Sequence, residues 1–179
     1  MKNNFLNSFI VFFILLLLNS NLKAEDFIFE STSIEISKEE NIIIAKDGVS
    51  IDTEDGLEIK SDEATYYKEE KLLILSGNVI IKDNIQNIII KSDNINYEKN
   101  LEKIFSKDTT IIHIENNYKI NGSNMYFFRL DKKIESNNKV ELIDNNKNKI
   151  SAENFNYFID KKRFLSSEMD FVDQDLNIY

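Results

Sequence analysis

The sequence predicts an all-β chain of short antiparallel strands repeated about every 30 residues, and three observations lead there. Ser76, Ser106, Ser136 and Ser166 stand 30 apart, each two residues after an apolar position: Ile74, Ile104, Ile134 and Phe164. A closing phrase with an aromatic end holds the same register, as Ser61 to Tyr66, Ser92 to Tyr97, Gly122 to Phe127 and Ala152 to Tyr157. Between these marks lie short runs of Ile, Val, Leu, Phe and Tyr, residues that suit a pleated, half-buried surface, separated by polar turns. Two independent marks on one period indicate a stacked array in which each unit buries a face on its neighbour.

In chain order, residues 1–24 are set apart. Lys2 supplies a positive end, Phe9 to Leu18 is an unbroken apolar run, and Leu22-Lys23-Ala24 offers a cleavage point, the pattern of a secretory signal peptide. The run is short of the roughly 20 apolar residues that a membrane-spanning anchor needs. Residues 25–179 are then one β-repeat domain with its last repeat incomplete. The chain has no cysteine, so disulfides play no part and the core alone must hold an exported fold together.

Phe27-Ile28-Phe29 and Ser33 to Ser37 form the first strand, and Lys38 to Asn41 turns the chain. Ile42 to Ala45 leads into Lys46-Asp47-Gly48, where Asp-Gly supplies a turn or bulge that accepts positive φ, and Val49 to Ile51 continues beyond it. Leu57 to Lys60 alternates apolar and polar, as a strand with one wet face should. The clearest copy of the unit is Leu72 to Tyr97: strand, bulge at Ser76-Gly77-Asn78, strand, turn, strand and closing phrase. Later copies run through Thr109 to Ile114 and Tyr118 to Ile120, then Val140 to Leu142 and Lys149-Ile150. A fifth opens at Phe164, and its closing phrase falls past Tyr179, so either the array is capped early or the natural chain continues. A helix at Ser61 to Lys71 is disfavoured by Thr65-Tyr66-Tyr67 and by apolar spacing that makes no helical face.

Charge and chemistry exclude several functions. Lys2 and Lys23 are the only charges in the first 24 residues, so the remainder carries 31 acids against 20 bases, a net charge of −11 that repels nucleic acid. No phosphate-binding loop, cysteine nucleophile or histidine metal motif is present, no cofactor is expected, and the chain reads as a non-enzyme. His113, the one histidine, lies opposite Ile112 and Ile114 on a strand and should face solvent. The carboxylate pairs Asp52/Glu54, Asp62/Glu63 and Asp170/Asp173, and acids beside lysines such as Glu69, Glu70, Asp83 and Asp131, read as solvated surface.

Leu75-Ser76-Gly77-Asn78-Val79, followed by Ile88-Ile89-Ile90-Lys91-Ser92-Asp93 and Tyr97, resembles the OstA-like periplasmic domain shared by the lipopolysaccharide transport proteins LptA and LptD. The likeness extends from about Phe27 to the C-terminus and rests on short motifs in a repeated register. It implies an open, twisted β-jelly roll whose two sheets hold lipid acyl chains, stacked end to end as a bridge across the periplasm. It also implies a location in the periplasm or on the periplasmic side of the outer membrane. The implied partner is lipopolysaccharide, and the uncapped rungs at Phe27-Ile28-Phe29 and Met169 to Val172 predict edge-strand addition to a fellow jelly-roll protein or to a second copy of this chain. LptD's long barrel and its frequent cysteines have no counterpart here, so a stand-alone LptA-like protein and an N-terminal piece of a cysteine-poor LptD both fit.

Inward positions on the strands are candidates for contact with lipid: Val79, Ile81, Ile90, Ile95, Ile112, Ile120, Met125, Phe127, Val140, Leu142, Phe155 and Tyr157. The same positions would serve a closed core, because alternation reports burial and not what covers the side chain. The alternative to a lipid carrier is therefore an exported structural or adhesive β-repeat protein with a closed core and no lipid.

Overall fold

Alternation of apolar and polar residues, broken only at the turns, produces strands along nearly the whole chain of the computed structural model, which describes residues 27–172 apart from Asn116. Residues 1–26, on which the expected signal segment falls, and the last seven residues, Asp173 among them, lie outside the described residues. The strands are β1 (Ile28–Ser37), β2 (Ile42–Asp52), β3 (Leu57–Ser61), β4 (Glu63–Tyr67), β5 (Leu72–Asp83), β6 (Ile88–Glu98), β7 (Lys103–Ser106) and β8 (Thr110–Ile114). They continue as β9 (Tyr118–Gly122), β10 (Met125–Phe128), β11 (Lys133–Ser136), β12 (Val140–Asp144), β13 (Lys149–Glu153), β14 (Phe155–Phe158), β15 (Arg163–Leu165) and β16 (Glu168–Val172). A single 3₁₀ turn, Lys99–Leu101, is the departure from all-β structure among the described residues. The disfavoured helix at Ser61 to Lys71 is β4 and a turn.

All pairings are antiparallel, and the long strands β1, β2, β5 and β6 each belong to two layers. The first half of β5 pairs with β4, its second half with β3, and the register shifts at Gly77-Asn78 between them. The first layer continues through β7, β10, β11, β14 and β15, the second through β8, β9, β12, β13 and β16. After β6 the chain lays one hairpin in each layer alternately: β8/β9 in the second, β10/β11 in the first, β12/β13 in the second, β14/β15 in the first. The bulges and closing phrases of the sequence are thus the crossings between layers, which form a hinge side. The hairpin turns of both layers lie together along the opposite side.

Register converts the 30-residue period into straight rows. Along the inner face of the first layer, neighbouring strands place Ile43, Tyr66, Leu73, Tyr97, Ile104, Phe127, Ile134, Tyr157 and Phe164 side by side. The second layer answers with Ile51, Ile59, Ile81, Ile90, Ile112, Ile120, Leu142 and Ile150. The rows meet in one core cluster. At one end Phe27 packs edge-on against Tyr66 and Tyr97, with ring centroids 4.8 and 5.9 Å apart.

Turns repeat with the same regularity. Asn41, Lys71, Glu102, Lys132 and Lys162 all have positive φ, between 46 and 54°. The carbonyls of the first four accept hydrogen bonds of 2.9–3.0 Å from the next turn, donated by the backbone N–H of Lys68, Lys99, Arg129 and Ile159. A left-handed backbone costs a non-glycine residue about 1–2 kcal/mol. Repetition of the bond at each turn offsets that cost. The period-marking serines close the hinge side: Ser106 Oγ meets Ser92 Oγ at 2.8 Å, and Ser136 Oγ donates to the Ser123 carbonyl at 2.9 Å.

Gly77 separates two effects that coincide in most glycines. At φ 74° an added Cβ would overlap the Asp62 side chain, whereas Gly48 at φ 85° has open space around that position. Gly77→Ala and Gly48→Ala both incur left-handed strain, but the overlap should add about 1–3 kcal/mol to the Gly77 variant alone. Urea denaturation of the two variants checks this, and equal losses would contradict the crowding at Asp62.

Candidate functional site

All twelve inward candidates are buried on the inner faces of the two layers. Val79, Ile81, Ile90, Ile112, Ile120, Val140 and Leu142 come from the second layer, and Ile95, Met125, Phe127, Phe155 and Tyr157 from the first. They form one lining with no polar interruption along the central rows. At the level of Ile90, Ile104, Ile112, Met125 and Phe127 the remaining void is about 10 Å³, room for one water at most. In this state the layers close on each other.

The turn side of the interior is sealed by charge, which the sequence reading missed. Asp83 occupies an inward position at the end of β5, between Leu57 and Ile88, and is only 1% exposed. It is not the solvated surface acid expected from its place beside Lys82. Its Oδ1 accepts the backbone N–H of Ile85 and Gln86, at 3.0 and 2.9 Å, and its Oδ2 accepts Arg129 Nε at 2.9 Å. Arg129, from the turn between β10 and β11, is itself buried. Its Nη1 donates to Asp55 Oδ2 at 2.7 Å and to Glu102, and its Nη2 to the Asp55 carbonyl at 3.1 Å. Lys99 Nζ bridges Asp55 and Glu102 at 2.5 and 2.8 Å, and Tyr97 Oη donates to Glu102 at 2.7 Å.

This network joins second-layer turns to first-layer turns through side chains, and Gln86 Nε2 adds a bond of 2.9 Å to the Arg129 carbonyl. Burial by itself would raise the Asp55 carboxyl, but hydrogen bonds from Lys99, Thr53 and Arg129 hold it well below the usual carboxylate range. Burial opposes the charge on Arg129 too, and the bonds to Asp55 and Asp83 more than restore it. The Tyr97 hydroxyl is pushed upward by burial and by Glu102, so it remains a donor. Farther along, Lys162 Nζ reaches Glu115 Oε2 at 3.0 Å across the same seam. Next to that pair Tyr118 and Tyr157 approach from opposite layers, ring centroids 6.2 Å apart. Burial and the nearby Tyr118 and Glu115 push Tyr157 up to about 12.

His113 faces outward, between Ile89 and Lys119, and burial together with Lys91 and Lys119 lowers its pKa. Asp52, Glu54, Asp62, Glu63 and Asp170 are exposed, so these carboxylates do not converge on an interior site. Among the described residues no cluster of His, Cys, Asp and Glu could hold a metal ion.

A two-layered β-repeat with a continuous apolar lining and an ion-paired seam is the class that this geometry defines. The chain belongs to the LptC-related lipopolysaccharide-assembly family, whose model matches residues 43–145, from β2 to the turn after β12. No curated protein matches the sequence. Among solved structures the chain is similar to LptH of Pseudomonas aeruginosa, described as the LptA-homologous periplasmic component of the conserved lipopolysaccharide transport device. Identity is 10%, coverage 83% of this chain and 94% of that one, and the TM-score 0.33. At that score no position is carried from one chain to the other. The resemblance seen in the sequence therefore holds at the level of lipopolysaccharide assembly; the match is to an LptC-related model, and a place beside LptA or LptD is not part of it.

Replacing Arg129 by Met would leave Asp83 buried without its cation, a change expected to cost about 3–5 kcal/mol. Chemical denaturation at neutral pH measures it, and a loss under about 1 kcal/mol would mean that the network is solvated. Acid should act on the same network. Asp55 titrates in the folded chain below its unfolded value of about 3.9, so its stabilisation is present above that pH and lost as pH falls toward the folded value. Denaturation midpoints measured from pH 6 to pH 3 are expected to fall less steeply in Asp55→Asn than in the parent.

Proposed function

We propose that this chain is a periplasmic component of lipopolysaccharide transport whose inner rows hold acyl chains of lipid A, as one member of an intermembrane bridge. The observation that carries the reading is the unbroken apolar lining, two facing rows that extend through every repeat, in a chain that belongs to a lipopolysaccharide-assembly family. Each buried methylene contributes about 0.8 kcal/mol, so a twelve-carbon chain between the rows would gain on the order of 8–10 kcal/mol before ordering costs. The twelve buried candidates are the residues proposed to make that contact.

The array ends support partners of the same fold. At the β1 edge Ile34 and Ile36 lie opposite the inward residues Ala45 and Ile43 yet are 42% and 59% exposed. At the other edge Met169 pairs with Ala152 on the inner face and is 54% exposed. Inner-face apolar surface thus reaches both edges, as end-to-end strand addition with a fellow jelly-roll protein or a second copy requires. Whether the neighbour resembles LptA or LptD is part of the proposal.

The packed interior favours a second reading, a structural or adhesive β-repeat with a closed core. Strand β10 separates the two, because Met125 and Phe127 face inward while Tyr126 and Phe128 face outward. A photo-crosslinking residue at position 127, with lipopolysaccharide supplied, is expected to yield a lipid adduct, and one at position 126 is not. Adducts at neither position, in protein that retains its β-sheet circular dichroism, would support the closed core.

A further inference from the structure

Because the inner rows are buried on each other, with a void of only about 10 Å³ at the level of Phe127, a chain enters where the layers part. The hinge side does not offer this, since connectors of one to three residues cross between layers at each repeat and hydrogen bonds such as Ser106 to Ser92 tie them. The turn side is held through side chains, by the bond from Gln86 Nε2 to the Arg129 carbonyl at 2.9 Å and by three cross-layer ion pairs with similar spacing. Asp55 meets Lys99 at a separation of 44 residues, Asp83 meets Arg129 at 46 and Glu115 meets Lys162 at 47. Each joins an acid at a second-layer turn to a base at a first-layer turn about one and a half repeats later.

The three pairs are not equivalent. The first two merge into the network around Arg129, whose side chain is 7% exposed against Asp83 at 1%. The third stands apart, with Lys162 63% and Glu115 36% exposed. Solvent competes with an exposed pair and has little access to a buried one, so the seam is weakest at Glu115–Lys162. Behind that pair the rings of Tyr118 and Tyr157 stand above the inner row at Leu142 and Ile120.

We infer that the seam at Glu115–Lys162 is the site where an acyl chain of an amphiphile is admitted to the interior, while the Arg129 network keeps the other end shut. The inference rests on the lipid-carrying reading above and adds the place of admission. Parting the pair also frees the Lys162 ammonium. An anionic headgroup can replace the Glu115 carboxylate there, which gives such a ligand a stronger interaction with the parted state than with the closed one.

The chain has no cysteine, so single cysteines report the opening directly. Leu142→Cys lies under the weak stretch and Ile59→Cys in the central row at the other end. Alkylation under native conditions is measured in each, with and without Lys162→Gln, and Glu115→Gln serves as a second release variant. Release is expected to speed alkylation at position 142 at least five-fold and to leave position 59 unchanged. Equal acceleration at both positions would mean general loosening, and no acceleration at 142 would mean that the pair does not hold the seam; either result overturns the inference. Neither readout uses lipid, so failure here leaves the crosslinking result at position 127 to stand or fall by itself. A reducible thiol cross-link between E115C and K162C completes the test, with dodecyl phosphate and dodecyl maltoside as competing probes for the same interior. The cross-link should abolish protection of position 142 by either probe, and reduction should restore it, more strongly for the anionic one. Undiminished protection with the cross-link intact would place admission elsewhere.

Discussion

Everything in this structure depends on register, and register is held by backbone hydrogen bonds between successive turns. The carbonyls of Asn41, Lys71, Glu102 and Lys132, in left-handed turns, accept the N–H of Lys68, Lys99, Arg129 and Ile159 in the next unit. A slip of one residue would turn every inward side chain to solvent. With the turns locked, Tyr66, Tyr97, Phe127 and Tyr157 fall in one row, alternating with Leu73, Ile104 and Ile134, and the facing row of isoleucines follows from the same lock in the second layer. Length comes from repetition and not from a deepening core, which is how repeat proteins extend an interior in one direction.

Much of this was legible because the period is written in side chains that the fold needs at fixed places. The serines at 76, 106, 136 and 166 mark the ends of first-layer strand segments, and the closing phrases mark the return crossing. Period-two alternation located all twelve inward candidates, since burial is what alternation reports. Asp47-Gly48 announced positive φ, which both residues have, and Gly77-Asn78, expected as a bulge, has it too. Lys71, Glu102 and Lys132 did not announce it, because nothing in a lysine or glutamate signals a left-handed backbone; the neighbouring turn imposes it. Lys82 beside it gives Asp83 the local look of a surface acid, and the cation that buries it lies 46 residues away. Local sequence carries no mark of such a partner. A clue existed in the period itself: Arg129 stands where the other units have Lys68, Lys99 and Ile159, a planar donor able to reach Asp83, Asp55 and Glu102 at once.

The two long sides of the layered array differ in kind. Backbone links the layers along the hinge side, whereas ion pairs and a few rings link them along the seam. An apolar interior that is full when closed and flanked by one separable side suits cargo that enters by displacement of contacts, with the gain from buried methylenes set against the contacts given up. The buried Arg129 network at one end and the exposed pair at the other give this array a polarity that a uniform repeat would lack.

The central claim is that the layers separate along the seam when the interior is occupied and keep their spacing at the hinge. Spin labels at Lys147 and Asp160, exposed turn positions on opposite sides of the seam, and at Lys107 and Lys139, exposed crossings on the hinge side, report both distances in one protein. Pulsed electron spin resonance before and after addition of lipopolysaccharide should show the seam pair moving apart by several ångströms and broadening, with the hinge pair unchanged. A seam distance that stays fixed in protein shown to carry lipid would contradict the account, as would equal displacement at the hinge.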